Sequence, residues 1–271
     1  MNKLILILLA TSLFFNNGYS QKKQEVVEKH SKTYLGLGVV ATSFQDVKYS
    51  DVRYSGTGMR LDFGFEKKKK NMWGFDFAFM HSKEKAKTYN HGEANVINGI
   101  LTFNYLFPLI KKENNTFYLG AKWDVMDFYL RSVDGLINNS TYYINGSNLK
   151  VSGKYERKIS SNLKLDAILD LQLISFMKES TSFGFSVPQD ALEEGKFSYQ
   201  NEALGNPIGL KYFSLEAPWN YFNIGIQIKL HYKKRWTFAY HWNMQRSNEV
   251  KDYPLTRGYN ALSVFYNIQN K

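Results

Sequence analysis

The sequence predicts an all-β fold, an up-and-down antiparallel transmembrane β-barrel of about ten strands, with eight or twelve as the alternatives. Three observations point there. From Tyr34 onward, apolar and polar residues alternate with a period of two through one run after another. Short connections between the runs alternate with long ones. The chain also opens with a segment that reads as an export signal, Met1 to Ser20.

The composition fits a single domain. A length of 271 residues would allow two, yet no linker or composition break divides the chain, and all-β barrels reach this size as one unit. Aromatic residues make up 16% of the chain. They favour strands and form girdles at membrane interfaces. Mean hydropathy is -0.41, which suits a membrane barrel because only every second strand residue meets lipid. The lack of cysteine excludes disulfides, a cysteine nucleophile, thiolate metal sites and a lipid-bearing cysteine. The formal net charge of +11 is scattered over turns, loops and alternate strand positions rather than gathered on a basic helix. No nucleic-acid partner is expected from it.

In chain order, Lys3 supplies the positive start of the signal segment. Leu4 to Ala10 with Leu13, Phe14 and Phe15 form its apolar centre, and Gly18-Tyr19-Ser20 the small residues before a cleavage point. The apolar stretch is short for a membrane span; a signal anchor is the alternative. Residues 21–33 are polar and read as a periplasmic lead-in. The barrel is expected over 34–271. Its first strand carries Leu35, Leu37, Val39 and Ala41. In the second, Met59, Leu61, Phe63 and Phe65 alternate with Arg60, Asp62, Gly64 and Glu66. A charged turn at 67–71 leads to Trp73, Phe75, Phe77 and Phe79, alternating with Gly74, Asp76, Ala78 and Met80. The same period places strands on Leu101 to Phe107, Phe117 to Met126, Leu149 to Glu156 and Leu163 to Leu173. It continues on Phe222 to His231, Trp236 to Asn243 and Leu262 to Ile268.

The short connections fall at 67–71, 108–115, 158–162 and 233–235, and the longer ones at 45–54, 82–94, 131–141, 177–218 and 247–257. Membrane barrels pair tight turns on one side with long loops on the other. An even strand number then puts both termini on the short-turn side. Alternation alone leaves open which face meets lipid, and a soluble periplasmic β-protein is the competing reading. The bulk of Trp73, Phe75, Phe77 and Phe79 on one strand argues for an outward apolar face. The opposite face mixes acids and bases that can pair in a lumen: Arg60, Asp62, Glu66, Asp76, Lys122, Asp124, Lys154, Glu156, Lys164, Asp166 and Asp170, with His241 among them.

With these features, Tyr34 to Lys271 resembles the small single-chain outer-membrane β-barrel proteins of Gram-negative bacteria. The closing strand, Leu262 to Ile268 with Tyr266 as its aromatic, looks like the terminal strand read by the barrel-assembly machinery, although the chain ends in Gln269-Asn270-Lys271. The resemblance implies an outer-membrane location with both termini in the periplasm. It implies outer-membrane lipid and the assembly machinery as partners, with any further protein or envelope partner unidentified.

Chemistry is sparsely signalled. His81, Ser82 and Glu84, or His91 and Glu93, suggest an imaginable triad beside one long connection, but sequence neighbours seldom converge. No zinc spacing, phosphate loop or calcium loop is present, and no catalytic residue, cofactor or metal is expected. A barrel this narrow is largely filled by side chains, so the lumen should be plugged or narrow rather than an open channel. The region 177–218 offers aromatics that suit a binding surface or a cap: Phe183, Phe185, Tyr199, Tyr212, Phe213 and Trp219. The expected role is non-enzymatic, structural or interactive, carried by external loops. A narrow pore or small-solute transporter, and a lipid- or peptide-modifying barrel enzyme, are the alternatives.

Overall fold

A computed structural model describes residues 30–47, 52–87, 92–134, 140–182, 213–233, 235–248 and 252–270. The signal segment and most of the lead-in lie outside them. The strands are β1 (His30–Asp46), β2 (Arg53–Lys68), β3 (Met72–Ala86), β4 (Glu93–Lys111), β5 (Asn115–Asp134) and β6 (Ser140–Lys158). They continue with β7 (Leu163–Ser182), the short β8 (Ser214–Glu216), β9 (Tyr221–Tyr232), β10 (Trp236–Ser247) and β11 (Leu255–Asn270). All pairings are antiparallel and, apart from β7 with β9 and β1 with β11, join neighbours in sequence; β1 pairs along its length with β11, from Ser31↔Asn270 to Asp46↔Leu255. β7 pairs with β6 on one side and β9 on the other, so the sheet closes into a barrel of ten strands. β8 pairs with β7 at Ser175 to Met177, beyond the point where β9 stops at Leu171. It therefore continues the β9 lane across a turn in which Asn220 and Tyr221 N–H groups donate to the Ala217 carbonyl.

The barrel is apolar outside and polar inside. Leu35, Leu37 and Val39 on β1 point outward and are 60–65% exposed, as are Met59 and Phe63 on β2 and Leu262 on β11 at lesser or similar values. The alternate residues Arg60, Asp62, Asp124, Lys150, Lys154, Asp166 and Asp170 are buried in the lumen. A soluble barrel has the opposite arrangement, because water, not lipid, surrounds it. Aromatic pairs mark the short-turn edge of the apolar band: Trp73 lies 5.5 Å from Phe65 and Trp236 lies 5.3 Å from Tyr266. Where large rings enter the lumen, glycine makes room. A Cβ on Gly64 would stand 2.4 Å from the Tyr34 ring, and one on Gly36 would stand 2.5 Å from Phe265.

Several boundaries differ from the sequence expectation. β1 begins at His30, inside the expected lead-in; β5 runs to Asp134, and β7 runs to Ser182, past the expected loop start at 177. The expected loop 177–218 also contains β8. The reason is physical. Beyond the apolar band both strand faces are polar or mixed, so alternation fades while the ladder of hydrogen bonds goes on. A 20-residue strand such as β7 climbs roughly 50 Å at 3.3 Å per residue and a tilt near 40°, about twice the height of a lipid-facing band. The far half of the barrel stands clear of that band.

An arginine placed on the outer face should reveal the band. Phe77→Arg, at mid-band on β3, is expected to destabilise the folded barrel in lipid vesicles by about 2–4 kcal/mol, and Thr57→Arg, on the polar extension of β2, by less than about 1 kcal/mol. Folding titrations read by the gel shift of unboiled protein measure both.

Candidate functional site

The lumen is built in layers. Nearest the short turns, Lys154 from β6 reaches Glu156 at 2.8 Å, Asp166 on β7 at 3.0 Å and Glu66 on β2 at 3.6 Å. Lys68 binds Glu156 at 2.6 Å, Lys164 binds both Glu156 and Asp166, and Lys32 binds Glu66 at 3.2 Å. His231 Nε2 lies 3.0 Å from Asp166 and its Nδ1 lies 2.8 Å from Thr237 Oγ1. Asn267 donates to that same Thr237 oxygen. One tautomer satisfies the chain: Asn267 donates to Thr237, Thr237 to Nδ1, and Nε2–H to the carboxylate. Lysines from four strands thus share three carboxylates, which meets the need of charges held away from water.

The middle layer surrounds a cavity of about 100 Å³. Arg60 holds Asp62 through Nε and Nη2. Lys122 binds Asp170 at 2.7 Å, Lys150 binds Asp124, and Asn104 donates to Asp76 at 3.0 Å. Thr102 and Ser152 hydroxyls donate to Asp124 and Asp170. His241 stands in this wall with neither ring nitrogen bonded.

The third layer closes the lumen above the apolar band. Arg131, fully buried, binds Asp46 at 3.0 Å and lies over the rings of Phe44 and Tyr142. Arg257 lies 4.0 Å from the centre of the Tyr129 ring and donates to Tyr221 Oη. Asp127 accepts from Asn98, Asn148 and Gln245. Phe44 stacks on Tyr54 at 4.7 Å, and these rings join Tyr129, Tyr142, Tyr221, Val96, Ile144, Met177 and Leu255 in one buried apolar cluster. Guanidinium groups over aromatic faces combine charge and packing in one plug.

All twelve sequence-predicted lumen residues face inward, and most fall into the two lower layers. Sequence reasoning missed Lys32, Lys68, Lys150, Lys229, Asp46, Glu84, Asp127, Arg131 and Arg257. In β5 the cause is a bulge between Asp124 and Asp127. It turns Val125 and Met126 both outward and shifts the inward parity onto Asp127, Tyr129 and Arg131. Ser82 and Glu84 are buried inside the barrel while His81 points outward from β3, so these neighbours lie on opposite faces and cannot form a triad. His91 lies outside the described residues.

Glu84 is the unusual carboxylate of the far half. Burial pushes its acid up to about 7, against the hydroxyls of Thr42 and Ser82 and the charge of Arg131, which favour the ionised form. One carboxyl oxygen has no partner among the described residues.

Of the predicted loop aromatics, Phe183, Phe185, Tyr199 and Tyr212 lie outside the described residues. Phe213 stacks on Phe176 of β7 at 4.8 Å. Leu215 on β8 is 67% exposed and Trp219, in the turn before β9, is 75% exposed. On β3 the outward residues turn polar at His81, Lys83 and Lys85, but on β7 they stay apolar through Leu173, Ile174 and Phe176. An apolar patch therefore climbs above the band on the β7–β8 side.

No protein-family model and no curated protein matches the chain. Solved structures do. The outer membrane protease OmpT from Escherichia coli superposes with a TM-score of 0.55 at 7% identity, covering 92% of this chain and 99% of that one. This chain has the fold of the bacterial outer-membrane β-barrels. The translocator domain of the autotransporter NalP from Neisseria meningitidis (TM-score 0.37, 9% identity, 97% and 94% covered) and Ail, the attachment invasion locus protein of Yersinia pestis (0.34, 9%, 88% and 99%), are more distant. At such identities the likeness concerns the fold alone.

Two variants test the layers. Lys154→Met leaves Glu156 and Asp166 short of their central cation and is expected to cost about 3–5 kcal/mol, read as a lower unfolding midpoint in detergent. Glu84 has a raised pKa, so the folded state holds its proton more tightly and loses stability as pH rises from about 4.5 towards 7. Glu84→Gln should therefore raise the unfolding temperature at pH 8 and leave it unchanged near pH 4.

Proposed function

We propose that this protein is a non-conducting barrel of the bacterial outer membrane that works at its outer rim, engaging a protein or envelope partner there. The observation that carries the reading is the apolar patch of Phe176, Phe213, Leu215 and Trp219. It rises above the lipid-facing band, where lipid would not require it, and exposed clusters of aromatic and aliphatic side chains mark interaction surfaces. The layered lumen supports the same reading, because ion pairs below and an arginine–aromatic plug above leave little room for solute. In this reading the short turns and both chain ends face the periplasm, and outer-membrane lipid and the barrel-assembly machinery are the other partners. Among the described residues the enzyme alternative finds no site. Among histidines with described side chains, His231 has a carboxylate partner, but it lies deep at the short-turn end.

One observation favours a second reading, a narrow pore. A smaller cavity of about 30 Å³ beside Glu84 shares Asn243, Gln245 and Tyr259 with the central one, so the two form a string along the lumen.

A photo-crosslinking amino acid in place of Trp219 should yield protein adducts on intact cells, while the same label at Lys83 should not. Equal adducts at both positions, or none at Trp219, would remove the rim reading. Planar-bilayer recording decides the pore. The plugged lumen gives no single-channel steps, and reproducible steps would establish the alternative.

A further inference from the structure

The central cavity carries groups that the layered ion pairs leave over. Lys229 points into the lumen from β9, yet no carboxylate lies within ion-pair distance of it among the described residues. Its Nζ lies over the face of the Tyr34 ring, 5.9 Å from the ring centre. On the paired strand, His241 is 3% exposed and both ring nitrogens lack partners among the described residues. Gln227 makes no side-chain hydrogen bond among the described residues. The ladder brings the three together: His241 sits directly opposite Gln227, and Lys229 is the next inward residue along β9. Small residues explain the space. Ala239 stands opposite Lys229, Gly225 stands opposite Asn243, and Ala78 lines the far wall.

Lys229 is half-buried, and an ammonium partly withdrawn from water with no carboxylate at ion-pair distance is costly. Several water molecules fit a cavity of about 100 Å³, but the surrounding charge asks for more than water. The charges that bear on His241 are those of Arg60, Lys229 and Lys122, all cations. The β9–β10 wall is therefore a set of unused donors, with cations around His241 and with Asp76 and Glu66 as the acids that bear on Lys229 from across the lumen. Asp76, across the cavity and bonded by Asn104, limits how much negative charge can enter.

We propose that the cavity binds a small monovalent oxyanion, of the short-carboxylate class, with Lys229 as its counter-ion and the His241 imidazole and Gln227 amide as further donors. Lys229, without an ion-pair partner among the described residues, matches one negative charge. A dianion would set its second charge against Asp76. The bound anion gives Lys229 its counter-charge and belongs to the plug.

The test uses crystals of the full-length protein in detergent, soaked in sodium bromide, with bromide as an anion visible by anomalous scattering. A bromide peak beside Lys229 Nζ is expected. Formate should displace it and an equal concentration of sulfate should not. Lys229→Met should abolish the peak, and Gln227→Leu should weaken formate binding at least several-fold by calorimetry. The gel shift of unboiled protein shows that each variant is folded; if Lys229→Met does not fold, Gln227→Leu and His241→Phe carry the comparison. A cavity holding water alone, a peak that persists in Lys229→Met, no effect of Gln227→Leu and His241→Phe, or displacement by sulfate as readily as by formate would each overturn the proposal.

Discussion

The structure depends on one closure, the pairing of β1 with β11. In lipid no water is at hand for an unpaired backbone N–H or C=O, so a sheet survives there only without edges. Register along that seam runs unbroken from Ser31↔Asn270 to Asp46↔Leu255. It joins the first described strand to the last, a contact between the two ends of the chain. Once the ring is closed, each inward side chain is committed to a narrow lumen, and the charges there have to find one another.

That commitment explains the interior. Lys154 serves three carboxylates drawn from β2, β6 and β7, and Arg131 joins β5 to β1 through Asp46. Lys154–Glu66 and Arg131–Asp46 tie strands that are not neighbours in the sheet, and so brace the barrel across its width. Because breaking one partner strands the other, the network resists piecemeal loss. The apolar rings of Phe44, Tyr54, Tyr129 and Tyr142 gather above the lipid band, where the outer face is polar except on the β7–β8 side and the barrel regains the ordinary sense of a buried core.

The ten strands were legible in the sequence because lipid outside and charge inside give the sharpest possible alternation. Trp73 to Met80 and Leu163 to Leu173 show it plainly. Strand ends were not legible: Lys83, Lys85, Ser132 and Gln45 lie outward beyond the band, where polar faces polar and the period carries no contrast. The lumen face of the candidate site could be read residue by residue, but its partners could not. Lys68 and Glu156 are 88 positions apart, and only closure and register bring them together. The bulge in β5 hid Asp127 and Arg131 by reversing the parity. Lys229 falls on the polar side of the β9 alternation, but only closure and register show that no described carboxylate reaches it.

The central claim is an inverted barrel whose apolar band faces lipid and whose far half stands clear of it. The chain has no cysteine, so single cysteines can be placed at successive positions of β7 from Leu165 to Phe176 and spin-labelled in lipid vesicles. Collision with membrane-dissolved oxygen should rise and fall with a period of two, high at Leu165, Ala167, Leu169 and Leu171, and should decline towards Phe176 as collision with a water-soluble nickel reagent increases. Uniform exposure to the water-soluble reagent along the whole strand, or oxygen maxima at Asp166 and Asp170, would contradict it.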